Sequence, residues 1–448
     1  MNNSDWDITK NRLLEIFNTE ISAVNPEYTV KQNVKLTANK LFAGDHEYNL
    51  NDYDRIVVVG FGKAAALMAK AIEDIFGDRI ESGIISVKYG FGLKLKRIKV
   101  IEAGHPVPDK NGILAAQKIV QKLLDLSDKD LAICLISGGG SALLTLPVEG
   151  ITLEDKQAIT RLLLNAGATI QELNTIRKHI SRVKGGFLAR AANPATLISL
   201  IMSDVTGNQL DAIASGPTVP DTTTIEDCIR ILNRYELDKA DLPPAIPLHI
   251  QKCILLKSDT PKPGNPIFEK TFNLIIGSNE TAIRTGFQKA TELGFNAFIF
   301  SHTLEGECRT VGKNLVSIAR EIQQKKHPVK LPACILAGGE TTVKVTGNGK
   351  GGRNTELALS AALAMQGTSG ISLLSAGSDG NDGDTDAAGA IVDGQTIPRA
   401  IQMNTDPFDY LNNNDSYSFF DKLGDLIRTG PTFTNVMDLQ IMLVYPCF

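Results

Sequence analysis

Short apolar runs recur along the chain, and each ends in a glycine-rich turn before helical spacing takes over. Ile56–Val59 leads into Gly60-Phe61-Gly62-Lys63-Ala64-Ala65, and apolar residues at helical intervals continue to about Phe76. Gly83–Val87 and Lys99–Ile101 read as two further strands. After the turn Gly104-His105-Pro106-Val107-Pro108-Asp109, residues Ile113, Leu114, Ala116, Ile119, Val120, Leu123 and Leu124 are read as one face of a helix. Leu131–Ile136 predicts a strand ending in Ser137-Gly138-Gly139-Gly140-Ser141, and Ala195–Met202 another ending in Ser203-Asp204-Val205-Thr206-Gly207. Alternation of this kind predicts parallel βαβ units and an α/β fold.

From about Ala240 to Pro266 the chain holds Pro243, Pro244, Pro247, Pro261, Pro263 and Pro266, its densest proline. This break predicts a connection between two α/β domains, with residues 1–256 in the first, 257–270 as linker and 271–448 in the second. The rhythm restarts at Phe272–Ile276, which runs into Gly277-Ser278-Asn279, and continues with strands at Ala297–Phe300 and Ala333–Ala337. A hairpin around Val343-Lys344-Val345 then leads to Gly349-Lys350-Gly351-Gly352-Arg353, which opens a helix at Asn354–Met365. Ile371–Ala376 predicts a buried parallel strand. Just past it stand Asp379, Asp382, Asp384 and Asp386 in S-D-G-N-D-G-D-T-D.

Composition changes this picture little. The net charge of -4 gives no reason to expect nucleic acid or an anionic membrane as partner. The cysteines are scattered without C-x-x-C, and Cys134 and Cys334 fall inside strand runs, as in a reduced cytoplasmic protein. The polar, acidic start reads as no secretory signal, and no apolar run approaches the roughly 18 residues of a membrane span.

Glycine at a strand-to-helix turn lets backbone N–H groups point at an anion, and the helix N-terminus adds partial positive charge. Ser137–Ser141 and Gly351-Gly352-Arg353-Asn354 both fit such a cradle. The Asp379 loop sits where open α/β sheets hold ligands, and it suits either a cation or a solvated acidic turn. Gly60-Phe61-Gly62-Lys63-Ala64-Ala65 approaches the dinucleotide fingerprint G-x-G-x-x-A. The ribose-binding acid that should follow the second strand is missing, because that place reads Val87-Lys88-Tyr89. There is no G-x-x-x-x-G-K-[ST], no H-R-D or D-F-G, no zinc-spaced histidine pair, no EF-hand and no G-x-S-x-G.

In order, the chain carries G-F-G-K-A-A at Gly60, A-G-H-P-V-P-D at Ala103, S-G-G-G-S-A-L-L at Ser137 and N-T-I-R-K-H-I-S-R-V-K-G-G at Asn174. S-D-V-T-G at Ser203, A-S-G-P-T-V-P-D at Ala214, A-G-G-E-T-T-V at Ala337, G-K-G-G-R-N-T-E-L-A-L at Gly349 and G-P-T-F-T-N-V-M-D-L-Q at Gly430 follow. Over nearly its whole length this resembles the class II glycerate 2-kinases, a family with a leucine-rich C-terminal domain and a history of hydroxypyruvate reductase names. The chain departs from that pattern at Thr206 for proline, Thr355 for glutamine, Phe433 for glycine and Met437 for asparagine.

The resemblance implies two α/β domains, the first Rossmann-like, with the active-site cleft between them. It also implies transfer of the ATP γ-phosphoryl group to the 2-hydroxyl of D-glycerate, with Mg²⁺, and it places the key lysine at Lys63 and the key arginine at Arg353. Closure of the two domains would then complete the site. Gly60, Gly62, Ser137, Gly138, Gly139, Gly140, Ser141, Gly351 and Gly352 are the expected phosphate-binding positions. Asp204 is the candidate base for the hydroxyl, or else a helix N-cap. Arg177, Lys178, Arg182 and Lys184 suit a substrate carboxylate, although basic residues on a helix more often form a solvated face. His105 and Asn354 are candidates for substrate contact, Asp379 and Asp382 for Mg²⁺, and Glu340 for metal or a cap. Hydride transfer to hydroxypyruvate, or a non-catalytic sensor of nucleotide and sugar acid, are the alternatives. The partners are small molecules, and a homo-oligomer stays open.

Overall fold

In the computed structural model, which describes residues 3–237 and 242–447, the chain divides into Pro26–Ile276 and a second unit made of Met1–Asn25 with Gly277–Phe448. The division differs from the expected boundary at 257–270. Phe272–Ile276, read as the start of the second domain, lies in the last strand of the first unit's sheet. The expected break begins in residues 238–241, outside the described residues. Beyond it Pro247 lies in the first turn of a helix, Ala245–Leu256, and the other prolines lie on either side of that helix, within the first unit.

The first unit opens with a small antiparallel sheet of β1 (Val34–Thr37), β2 (Lys40–Ala43) and β3 (His46–Asn49). Its main sheet holds β4 (Arg55–Phe61), β5 (Ile80–Lys88), β6 (Ile98–Ala103), β7 (Asp130–Ile136), β8 (Thr196–Met202) and β9 (Thr271–Gly277), in the order β6-β5-β4-β7-β8-β9. From β6 through β8 every pairing is parallel, as the βαβ rhythm predicted. Both faces are covered, which is why the strands read as unbroken apolar runs. Val58 packs on the side of Met68 and Ile72 from the helix Ala65–Phe76. Val57 and Val59 pack on the other side, with Ile119 and Leu123 from the helix Lys110–Leu124. That second helix is capped by Asp109, which accepts from the Gly112 N–H at 2.9 Å.

The second unit has β10 (Asn296–Leu304), β11 (Ala333–Gly339), β12 (Ile371–Gly377), β13 (Gly389–Asp393), β14 (Leu426–Ile427) and β15 (Asp438–Val444), ordered β10-β11-β15-β12-β13-β14. Only β10 and β11 run parallel. The expected parallel strand at 371–376 is antiparallel to both neighbours, because β15, last in the chain, inserts between β11 and β12 in the opposite direction. The expected hairpin at 343–345 does not form; Thr342 makes a single bridge to Glu307.

The N-terminal helix Asn3–Ala23 belongs to this second sheet. Leu13, Ile16 and Phe17 are fully buried in one cluster with Ile283, Leu374, Ile441 and Leu443. Among the described residues no helix is long and apolar enough to cross a membrane. Phe17→Ala is expected to cost about 3–5 kcal/mol. Hydrogen exchange should show the loss of protection in 277–448 and not in 26–276; the reverse pattern would refute the assignment of this helix.

Candidate active site

The strand order of the first sheet reverses between β4 and β7, since β5 and β6 lie on one flank and β8 on the other. Turns leaving the carboxyl ends of two such strands head in opposite directions, and that switch point is where open α/β sheets take their ligands. Three hydrogen bonds stitch the two turns together. The Lys63 N–H donates to the Gly138 carbonyl at 2.9 Å, the Ala64 N–H to Ser137 Oγ at 3.0 Å, and the Ser137 N–H to the Phe61 carbonyl at 3.1 Å. Gly62, at φ +123°, donates to the Ser86 carbonyl, and a Cβ in its place would collide with Ser137. Gly60 lies inside β4 against Leu135.

Gly60, Gly62 and Ser137, expected in a phosphate cradle, thus serve the close packing of the two turns. The dinucleotide alternative weakens for the same reason, because its fingerprint needs the second glycine open to a pyrophosphate. Moreover β5 ends in Lys88, with no carboxylate.

The next turn is the open one. The N–H groups of Gly138, Gly139 and Gly140 make no hydrogen bond among the described residues. Gly139, at φ +80°, brings the backbone so near His105 that a Cβ would lie 2.8 Å from its ring and 3.5 Å from Lys63 Cγ. The Lys63 ammonium has no hydrogen-bond or ion-pair partner among the described residues. Burial, then the charges of Lys63 and Lys88, push His105 down to about 4, so its ring is neutral at pH 7. Ser141 Oγ lies 3.2 Å from Ser215 Oγ, which donates to Asn174 Oδ1 at 3.0 Å. Asp204 stands two residues beyond β8, half-buried, at the same carboxyl edge of the sheet.

The basic run from Arg177 to Lys184 is not a solvated face. Lys178 is buried in ion pairs with Asp221 at 3.2 Å and Asp211 at 3.4 Å, and Lys184 is 1% exposed, reaching the Ala214 carbonyl at 3.2 Å. Arg182 alone of the four is exposed, and it lines a separate cavity of about 730 Å³ with His249 and Cys253. Lys156, buried beside this group, carries no mark in the sequence to tell it from any helix lysine.

In the second unit Arg353 opens the helix Arg353–Met365. Its Nε and Nη2 donate to the two oxygens of Asp438 at 2.6 and 2.9 Å, and Nη1 donates to Glu340. Burial pushes Asp438 up to about 6, against the hydrogen bonds and charge of Arg353. Burial also works against the Arg353 charge, but Asp438 and Glu340 together hold the guanidinium above its ordinary range.

The helix N-terminus beside Arg353 already has its anion. Asp382 accepts from the N–H groups of Asn354 and Thr355 at 2.9 and 2.8 Å and from Thr355 Oγ1 at 2.7 Å. A Cβ on Gly352 would strike Asp382, and one on Gly351 would strike Ser416. At the expected phosphate cradle of Gly351 and Gly352 the helix N–H groups are met by the chain's own carboxylate, with Asp382 as the helix cap. Asn354, expected to contact substrate, is 1% exposed, bonded to Asp382 and accepting from Ser375 Oγ at 2.8 Å, so it braces the loop against the helix. Asp386 pairs with Tyr417 and Arg428. Asp379 is half-buried and accepts through one oxygen from the Asn381 N–H at 3.1 Å. Glu307, Cys308 and Glu356 also cluster, but Glu307 caps a helix at Thr310 and Glu356 is held by Arg309 and Asn414. Phe433 and Met437, where the family pattern has glycine and asparagine, sit at φ +59° and +71°, the region those two residues tolerate best.

A parallel sheet with free N–H groups and an unpaired lysine at its switch point defines an α/β enzyme for an anionic ligand. Residues 12–251 match a domain of unknown function, DUF4147, and residues 333–438 match the MOFRL family. The chain is 42% identical over 441 residues to a D-glycerate 2-kinase of Thermotoga maritima, covering 98% of this chain and 99% of that one. It is 43% identical over 392 residues, 87% of each chain, to an Agrobacterium vitis protein with a hydroxypyruvate reductase name. A crystal structure of a glycerate kinase from Thermotoga maritima superposes with a TM-score of 0.88 at 41% identity, covering 98% of this chain and 100% of that one. The chain belongs to the glycerate 2-kinase family.

Asp382→Ala removes the acceptor of two helix N–H groups and a buried hydroxyl, and is expected to cost about 2–4 kcal/mol. Urea denaturation measures it, and an unchanged midpoint would contradict the capping role.

Proposed function

We propose that the chain transfers the γ-phosphoryl group of ATP to the 2-hydroxyl of D-glycerate, giving 2-phospho-D-glycerate. The observation that carries this is the uncommitted Lys63 ammonium beside three free N–H groups at the switch point. Phosphoryl transfer asks a protein for positioning and for charge stabilisation of the moving oxygens, and these groups supply both without further rearrangement. Lys63 acts as a point charge on the phosphoryl oxygens. Arg353, held by Asp438 and Glu340, offers its remaining N–H groups to an anionic group of a ligand. Neutral His105 offers a hydrogen bond to the substrate, and Asp204 takes the hydroxyl proton. The names of the Thermotoga relatives support the reaction, and that of the D-glycerate 2-kinase supports the hydroxyl it uses.

The Asp loop fits Mg²⁺ through Asp379 alone, together with phosphate oxygens, since the oxygens of Asp382 are engaged. Bound there, the ion would neutralise phosphate charge. The substrates are small molecules, in keeping with a cytoplasmic enzyme.

With ATP, Mg²⁺ and D-glycerate, ³¹P NMR should show 2-phospho-D-glycerate. Lys63→Ala should lower kcat by about 10²–10³-fold, and Arg353→Lys by about 10²-fold, because lysine keeps the charge and loses the fork. A wild-type chain without a phosphorylated product would sink the reading, and full activity in Lys63→Ala would sink the lysine's role.

Asp438 gives a pH signature of opposite sign in activity and stability. Its folded pKa of about 6 lies above the ordinary carboxylate value, so its contribution to stability is complete below about pH 4 and is lost as pH rises through about 6. Activity should rise over the same window, as the carboxylate ionises and fixes Arg353. Asp438→Asn should flatten both limbs; an unchanged acid limb of kcat/KM would assign it to another group.

A further inference from the structure

Three cations of the first unit lie near one another, and none is paired with a carboxylate among the described residues. Lys156 is on the helix Leu153–Asn165, Arg177 on the helix Ile170–His179 packed against it, and Lys184 in the turn that follows. Lys184 is 1% exposed and Lys156 5%. Among the described residues Lys184 Nζ donates only to the Ala214 carbonyl, and Lys156 Nζ reaches only Thr145 Oγ1, at 3.4 Å. Arg177 has no hydrogen bond or ion pair among them. The nearby carboxylates of Asp221 and Asp211 are taken by Lys178.

Neutral groups link all three cations to the open glycine turn. Thr145 Oγ1 donates to the Ser141 carbonyl at 3.3 Å, and Ser141 Oγ meets Ser215 Oγ. Ser215 adjoins Ala214, the partner of Lys184, and donates to Asn174, one turn from Arg177 on the same helix face. A buried cation without a partner is costly, and a ligand that brings negative charge removes the cost. One carboxylate balances one of the three. A phosphoryl group brings nearly two negative charges and three acceptor oxygens.

We propose that Lys156, Arg177 and Lys184 seat a phosphoryl dianion rather than a carboxylate, and that Lys156 is the residue that separates the two. The proposal rests on the phosphotransferase reading only for the source of the group, which is the nucleotide or the phosphorylated hydroxy acid. Burial, then Arg177, pulls Lys156 down to about 7, and burial, then Lys156 and Arg177, holds Lys184 well below its ordinary range. A dianion in the seat favours the charged form of both lysines, so its binding takes up protons above about pH 7, where Lys156 begins to lose its own.

Calorimetric titration of the full chain with inorganic phosphate, D-glycerate, 2-phospho-D-glycerate and ATP, each in two buffers of different ionisation enthalpy, tests this. Lys156→Met should weaken inorganic phosphate, and ATP or 2-phospho-D-glycerate or both, by about tenfold, and reduce their proton uptake. D-glycerate should stay within about twofold, and whichever phosphorylated ligand weakens is the source. An equal loss for D-glycerate, or no loss for phosphate, would overturn the proposal. A chain that binds phosphate with proton uptake yet phosphorylates no D-glycerate would overturn the kinase reading and leave the seat standing. Lys156→Met removes a buried charge and should raise the melting temperature; Arg177→Gln gives a second variant with the same expected binding pattern.

Discussion

The three hydrogen bonds between the Phe61–Ala64 and Ser137–Gly138 turns decide what the rest of the first unit can do. They use up the N–H groups that follow β4, and they need a residue without a side chain at Gly62 so that Ser137 can approach. With those groups engaged, the free N–H groups shift one turn onward, to Gly138, Gly139 and Gly140. The Lys63 side chain is left beside them as an unpaired charge. A βαβ sheet builds the switch point, but the stitching selects which of its turns meets a ligand.

Charge is treated differently in the two units. In the second, the groups that invite an anion already have one: Asp382 closes the helix N-terminus, and Asp438 holds Arg353 from below. A buried carboxylate raised to about 6 is a cost the fold carries in return for a guanidinium fixed in direction. In the first unit, Lys63, Lys156, Arg177 and Lys184 have no carboxylate among the described residues, while Lys178, within the same basic run, is fully matched by Asp221 and Asp211. The contrast within a few residues is what supports the proposed seat, because the fold has the means to neutralise lysine where it needs to.

Much of this was legible from periodicity and motif. Apolar runs punctuated by glycine predicted the strands of the parallel sheet, and the ordered motifs singled out Lys63 and Arg353. Three things were not legible. The Asp382 oxygens are engaged by Asn354, 28 residues away, and those of Asp438 by Arg353, 85 away, so the identity of the helix cap lies outside any local window. The strand at 371–377 looks parallel in isolation, and becomes antiparallel only when β15 enters beside it. Residues 3–25, expected in the first domain with the rest of 1–256, instead supply Phe17 to the core of the second unit.

By itself, then, the sequence determined the α/β class and most strand and helix positions, because backbone propensity and side-chain period are set within a few residues, while Lys63 and Arg353 were candidates that only the family resemblance singled out. Only the tertiary structure decided which glycine turn is open, which aspartate is a cap and which lysines lack a partner. Hydrogen-bond and charge satisfaction are properties of groups brought together from distant parts of the chain, and no local pattern records which donors find an acceptor.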